Sequence, residues 1–293
     1  MPRIVEAQNR RLSVGGRIRP RPHAPKLCLA NYLRASLPAP PPALDLLDRP
    51  ARAALGRMYL NDRLGDCVVA GAAHMIGAWK GEAAPESGPT LFSNAQIEAA
   101  YHNFSGGGYP AQDTGCDEEF ALNFWAAKGF APGAWNPHKI VCWVAVDAAN
   151  RKEVETAIWL FGAVMAGVEL PDAWINPPPE SDGFVFDVAG DPVPTNGHCM
   201  THFSYDANGI GCATWGMYGA VTWAALAKYM VGAANGALYA AVSQDALIRA
   251  TGKAPNGFNA AQLVADAHAI GHAVSLRLAK SLRLALGEAQ PLS

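Results

Sequence analysis

Asn61-Asp62-Arg63-Leu64-Gly65-Asp66-Cys67 runs without a break into Val68-Val69-Ala70-Gly71-Ala72-Ala73-His74-Met75-Ile76-Gly77-Ala78-Trp79, and the join between the two decides the fold. After Cys67 the apolar residues Val68, Val69, Ala72, Met75, Ile76 and Trp79 recur at spacings of three and four, the period of a helix, with no proline before Pro85. Asp66 stands where an N-cap belongs. Cys67 therefore opens a buried helix, and its sulfur faces the positive end of the helix dipole, which favours thiolate. Gly65 lets a substrate backbone come close. Asn61, six residues before the cysteine, offers an amide donor to an oxyanion beside the sulfur.

Downstream, Gly197-His198 opens a predicted strand, 198–205, which the turn Asp206-Ala207-Asn208-Gly209 joins to a second strand, 210–215. A cysteine on a helix start and an imidazole on a distant strand are the parts of nucleophilic catalysis across a cleft. Between them the pattern predicts helices over 94–104, 117–128 (ended by Gly129) and 152–160, then a buried strand over 162–170. Beyond them come a helix over 222–231, a strand over 237–243 and a long amphipathic helix over 260–286. Helices precede strands without βαβ alternation, which is the α+β class.

This ordered set resembles the papain-like cysteine peptidases. Cys67 matches their nucleophile, with Asn61 where the family has glutamine. His198, in GHCMTHFSYD, matches the catalytic histidine, with Tyr205 closing that strand. Trp215-Gly216, in CATWG, matches the Trp-Gly of the family's Asn-Ser-Trp-Gly. Gly106-Gly107-Gly108 followed by CDEEFALNFWAAKGF resembles the glycine-rich loop and its helix. The resemblance covers about residues 55–245. It looks closer still to papain-like proteins of bacteria and their phages that share N-D-x-x-G-D-C, the G-H strand and T-W-G-x(5)-T-W. It implies a two-lobe fold, a helical lobe against an antiparallel β lobe, and a cysteine hydrolase, most simply a peptidase, acting on a peptide or protein. Its site would be a Cys67–His198 dyad with an oxyanion hole from Asn61 and the Cys67 N–H. Gly65, Asp66, Thr214 and Trp215 would support it, the Trp215 ring shielding the histidine. No cofactor or metal is implied.

Three departures stand out. Ala213 falls where the family carries the asparagine that orients the histidine. Thr214 is the nearest polar neighbour, but a regular strand turns it to the opposite face. Asn61 is one methylene shorter than glutamine, and residues 1–42 hold no helical pro-segment. These keep an alternative open: a weakened or inactive papain-like structural or assembly protein, for example a phage particle component.

Composition bounds the rest. Of 293 residues half are hydrophobic and 16% charged, which excludes a disordered chain. No run of about 18 apolar residues is present, so no membrane span is expected. Without an apolar leader at the start, the expected location is cytoplasmic. Cys28, Cys67, Cys116, Cys142, Cys199 and Cys212 form no CxxC pair and are expected as free thiols. His198 and His202 share a strand face but lie roughly 13 Å apart, too far for one metal. Asp117, Glu118 and Glu119 read as helix N-terminal acids.

Residues 1–34 carry eight basic side chains against Glu6 alone, a net +7 on a chain of net −2. This arm cannot pack by itself. It is a solvated tail, or it docks on an acidic surface, a neighbouring subunit or a phosphate backbone. A homo-oligomer or larger assembly through residues 1–42 follows from the docking reading. Nucleic acid is disfavoured by the acidic body and the lack of interleaved aromatics. The expected organisation is an arm and proline connector over 1–42, a body over 43–250 and a helical extension over 251–293.

Overall fold

The computed structural model describes residues 1–19, 26–45, 49–83, 88–243 and 260–271. Its helical layer comprises α1 (Arg49–Leu55), α2 (Cys67–Ala83), α3 (Asn94–Phe104) and α4 (Glu118–Lys128). Local chemistry sets the ends of these helices. Ser93 and Gln96 form a reciprocal capping box on α3. The Asp117 side chain accepts from the Phe120 N–H at the start of α4, and Gly129 ends it at φ +96°. A Cβ at Gly129 would stand 2.3 Å from Pro137 O, so only glycine fits there.

Against this layer lies a nine-stranded sheet. Its strands are β4 (Leu44–Asp45), β6 (Cys142–Ala145), β7 (Val164–Glu169), β8 (Val185–Phe186), β9 (Gly197–His202), β10 (Ser204–Tyr205), β11 (Gly209–Thr214), β12 (Met217–Thr222) and β13 (Ala237–Val242). Strands β9 and β11 pair with Ala213 opposite Thr201, and β7 pairs with β9 along its length. Helices α5 (Arg151–Phe161), α6 (Trp223–Tyr229) and α7 (Ala260–Ala269) are the other α-helices among the described residues.

The class is α+β, with two local differences from the pattern. Strands β6 and β7 both run antiparallel to β13, so they are parallel to each other and α5 is a crossover between them. β12 is a full strand where the sequence reading passes directly to a helix. Trp215 at φ +51° and Gly216 at φ +65° reverse the chain after β11, and the alternating burial of β12 is a half-buried strand's. The helix expected over 260–286 is seen as α7 alone, and residues 272–293 lie outside the described part.

The strand period divides the core in two. Cys199, Met165 and Ala213 join the apolar face of α2, α3 and α4, whereas Met200, Ala166 and Cys212 pack with α5 and α6. The start of β9 therefore lies on the seam between the lobes. The arm closes that seam. It forms β1 (Arg3–Ala7) and β2 (Arg10–Val14), an antiparallel hairpin, and then β3 (Arg17–Ile18), which pairs in parallel with β5 (Cys116–Asp117). Leu12 and Val14 are fully buried. Among the described residues no helix is long and apolar enough to cross a membrane.

Candidate active site

Asp66 begins α2 through its carbonyl, which accepts from the Val69 and Ala70 N–H groups at 2.8 and 2.9 Å. Cys67 is thus the first helical residue, and it is 2% exposed. Burial pushes its thiol well up, more than the hydrogen bond from the Cys199 backbone pulls it down. The dipole argument for a thiolate is overridden here, because a charge without water costs more than a helix terminus returns. All six cysteines are free thiols, Cys28 exposed and the others buried.

His198, the neighbour of Cys199, is fully buried and lowered to about 3 by burial, so it is neutral. Its Nε2 lies 2.6 Å from Thr214 Oγ1, and its ring stacks on Trp215 at 4.3 Å between centroids and 23° between planes. Its Nδ1 is buried with no hydrogen-bond partner among the described residues. The expected orientation of Thr214 is corrected here. With Ala213 opposite Thr201, Thr214 falls on the face of Met200 and His198, and Ala213 turns to the helical lobe. The hydroxyl that holds the ring comes from the residue after the one aligned with the family's asparagine.

Asn61 also differs from its expected role. Its Nδ2 donates to Leu64 O at 3.3 Å and to Asp66 Oδ1 at 3.2 Å, so both amide hydrogens brace the loop instead of facing an oxyanion. The Asp66 carboxyl receives that amide and makes no bond to the N–H groups of α2; burial raises it well above its ordinary range. Gly65 donates to Asp113 Oδ1 at 3.1 Å, and Asp113 is held in turn by Tyr101 Oη at 2.5 Å. Asp113 was not singled out by sequence reasoning, and no spacing marks it.

The arm occupies the space beside these groups. Pro2 lies on Gly65, where a Cβ would come within 2.1 Å of its ring, and Gly16 packs on the Gly65 carbonyl. Ser13 N–H donates to Asn61 O at 2.8 Å, and Trp215 Nε1 donates to Ser13 O at 3.0 Å. Gly15 N–H donates to Gly197 O and Cys116 N–H donates to Gly16 O, both at 2.9 Å. Arg17 enters the body and pairs with Glu118 at 2.8 Å, both side chains wholly buried. Burial pushes the Glu118 carboxyl up while the Arg17 charge pulls it back. Arg19 pairs with Glu169 and Lys26 with Glu119, at 2.5 and 2.7 Å. The acidic surface that the arm docks on is its own body, and Glu118 and Glu119 are both helix N-terminal acids and the arm's anchors. Elsewhere, a surface hollow of about 530 Å³ is lined by residues such as Leu44, Tyr205 and Tyr218, and includes neither Cys67 nor His198.

No family model matches the chain, and no curated protein matches it by sequence. Among solved structures it is similar to xylellain, a cysteine protease from Xylella fastidiosa, at a TM-score of 0.56 and 15% identity, over 81% of this chain and 99% of that one. It is also similar to the Clostridial cysteine protease Cwp84 after propeptide cleavage, at 0.45 and 14%, over 62% and 53% of the two chains. The cysteine protease and lectin-like domains of Cwp84, a surface layer associated protein of Clostridium difficile, match at 0.44 and 14%, over 62% and 47%. The xylellain match, together with the ordered helical and β lobes, makes the fold papain-like.

Proposed function

We propose that this protein is a latent papain-like cysteine peptidase whose N-terminal arm covers the cleft in the state described. The observation that carries the reading is the setting of His198. Thr214 takes Nε2 and Trp215 stacks on the ring, so Nδ1 is the nitrogen left for proton transfer; it makes no bond to Cys67 in the closed state, where the Cys67 sulfur is bonded by the Cys199 backbone. Once the arm lifts and water enters, the penalty on charge falls, and the thiol can pass its proton to Nδ1. The sulfur then attacks an amide carbonyl. The C–N bond breaks as Nδ1 returns the proton to the leaving amine, and water hydrolyses the acyl-enzyme through the same nitrogen. With Asn61 engaged in its loop, the oxyanion falls to the first N–H groups of α2, those of Cys67 and Val68, which precede the first helical bonds.

A second reading is a papain-like body permanently closed and non-catalytic; the full burial of Leu12 and Val14 favours it. Replacing both by alanine loosens the arm and separates the two. A latent peptidase then shows Cys67 labelled by iodoacetamide at pH 6 at least tenfold faster than Cys28, and hydrolyses casein in a manner abolished by Cys67→Ser or His198→Ala. If the variant keeps its native circular dichroism but Cys67 reacts no faster than Cys28 and casein stays intact, the closed, non-catalytic reading holds.

A further inference from the structure

Arg17 is an arm residue whose charged side chain is wholly buried, and its surroundings are shaped to that side chain. Glu118 faces the guanidinium at 2.8 Å from Nε, and the Asn235 carbonyl accepts from Nη1 at 2.7 Å. Gly167 makes the space: a Cβ there would stand 2.1 Å from Arg17 Nε and 2.2 Å from Glu118 Oε2. The flanking backbone is gripped from both walls, Gly15 by the Gly197 carbonyl and Gly16 by the Cys116 N–H, and β3 continues as a parallel partner of β5. Main-chain bonds on two sides and one side-chain pocket are how a groove holds an extended peptide. Arg17 does not saturate the pocket. Its Nη2 is buried without a partner among the described residues, and Glu118 Oε1 receives no bond from the guanidinium, the Cys199 thiol being the other group hydrogen-bonded to the Glu118 carboxylate, so a two-pronged guanidinium–carboxylate pairing is unused.

We propose that Glu118, Gly167 and the Asn235 carbonyl form an arginine-recognition pocket in the cleft, with Arg17 as its resident occupant, and that the cleft selects extended peptides bearing an arginine. The proposal rests on reading the cleft as a peptide groove, and not on the chemistry of Cys67. Lysine would serve less well, because its ammonium lacks the planar fork that lets a guanidinium take a carboxylate two-pronged.

The test vacates the pocket in the full chain with Arg17→Ala and follows thermal unfolding with N-acetylarginine amide or N-acetylcitrulline amide, which differ in charge at nearly equal shape. The expected result is a saturable rise in Tm from the arginine compound at a concentration at least tenfold below that needed with the parent protein. The citrulline compound has no such effect, and Glu118→Gln in the same background removes the difference. Should Arg17→Ala fail to fold, the Leu12→Ala/Val14→Ala variant, which loosens the arm and so frees the pocket, is titrated instead, and the same tenfold gain is expected. Equal responses to both compounds, or none with either variant, overturn the pocket. Repeating the titration with Cys67→Ala separates the two proposals: arginine binding that persists while the loosened arm yields no reactive Cys67 leaves the pocket standing and the peptidase reading fallen.

Discussion

Thr214 supplies the bond that the ring of His198 depends on, and its removal is informative. Thr214→Val keeps shape and strand propensity but leaves Nε2 buried without a partner, which costs about 1–3 kcal/mol; urea denaturation measures it. In arm-loosened protein the same change lowers turnover with little effect on KM, since the hydroxyl orients the base and touches no substrate. Gly167→Ala acts on a different residue contact. Its methyl group cannot coexist with the Arg17–Glu118 pair as placed, and disrupting a buried ion pair costs about 3–5 kcal/mol. The expected outcome is a lower urea midpoint together with faster alkylation of Cys67. The places of Cys67, His198 and Trp215 in the fold were legible because each sits at a punctuation point of the pattern: a helix start, a strand start, a strand end. Thr214 was misread because facing was counted from the aligned alanine, and only the register of β11 against β9 decides which face a residue takes.

At the scale of elements, α3, α4 and α5 were legible nearly to the residue, since they carry their own caps and periodicity, and α2 was legible from periodicity alone, whereas α1 was not read. β6 and β12 were not: four- and six-residue runs have no cap, and their pairing partners are distant in sequence. The arm was half legible. Its charge announced a docking segment, and the alternation of Leu12 and Val14 is a strand signal, but nothing local says that the partner is the same chain. Because the hairpin and β3 are one contiguous segment attached along the seam, they should open as a unit. Hydrogen exchange is expected to show the Ser13, Gly15 and Cys116 amides exchanging together, with protection lower than that of β7 and β9. Protection equal to the central strands would mean that the arm belongs to the global core.

At the scale of the molecule, three histidines among the described residues are held neutral by burial: His74 and His202 lowered to about 4, His198 to about 3. Each takes up a proton on unfolding below its ordinary value of about 6.5, so their contribution is complete above that pH and is lost as pH falls toward 4. The buried carboxyl of Asp66, raised by burial, works in the opposite sense, its penalty growing as pH rises. His202→Asn keeps a donor toward the Gly211 carbonyl, which His202 Nδ1 meets at 3.0 Å, and removes one titrating ring. Denaturation between pH 6.5 and 4 should then lose stability less steeply, by about 1.4 kcal/mol per pH unit. The arm's anchors also set an order of events during synthesis. Arg17 meets Glu118 across 101 positions and Asn235 across 218. A ribosome adding about 5–20 residues per second needs about 10–45 s to deliver the last of them. The nascent polypeptide therefore carries the arm unseated while the two walls emerge, and Arg17 gains its full set of partners only after Asn235 has been translated.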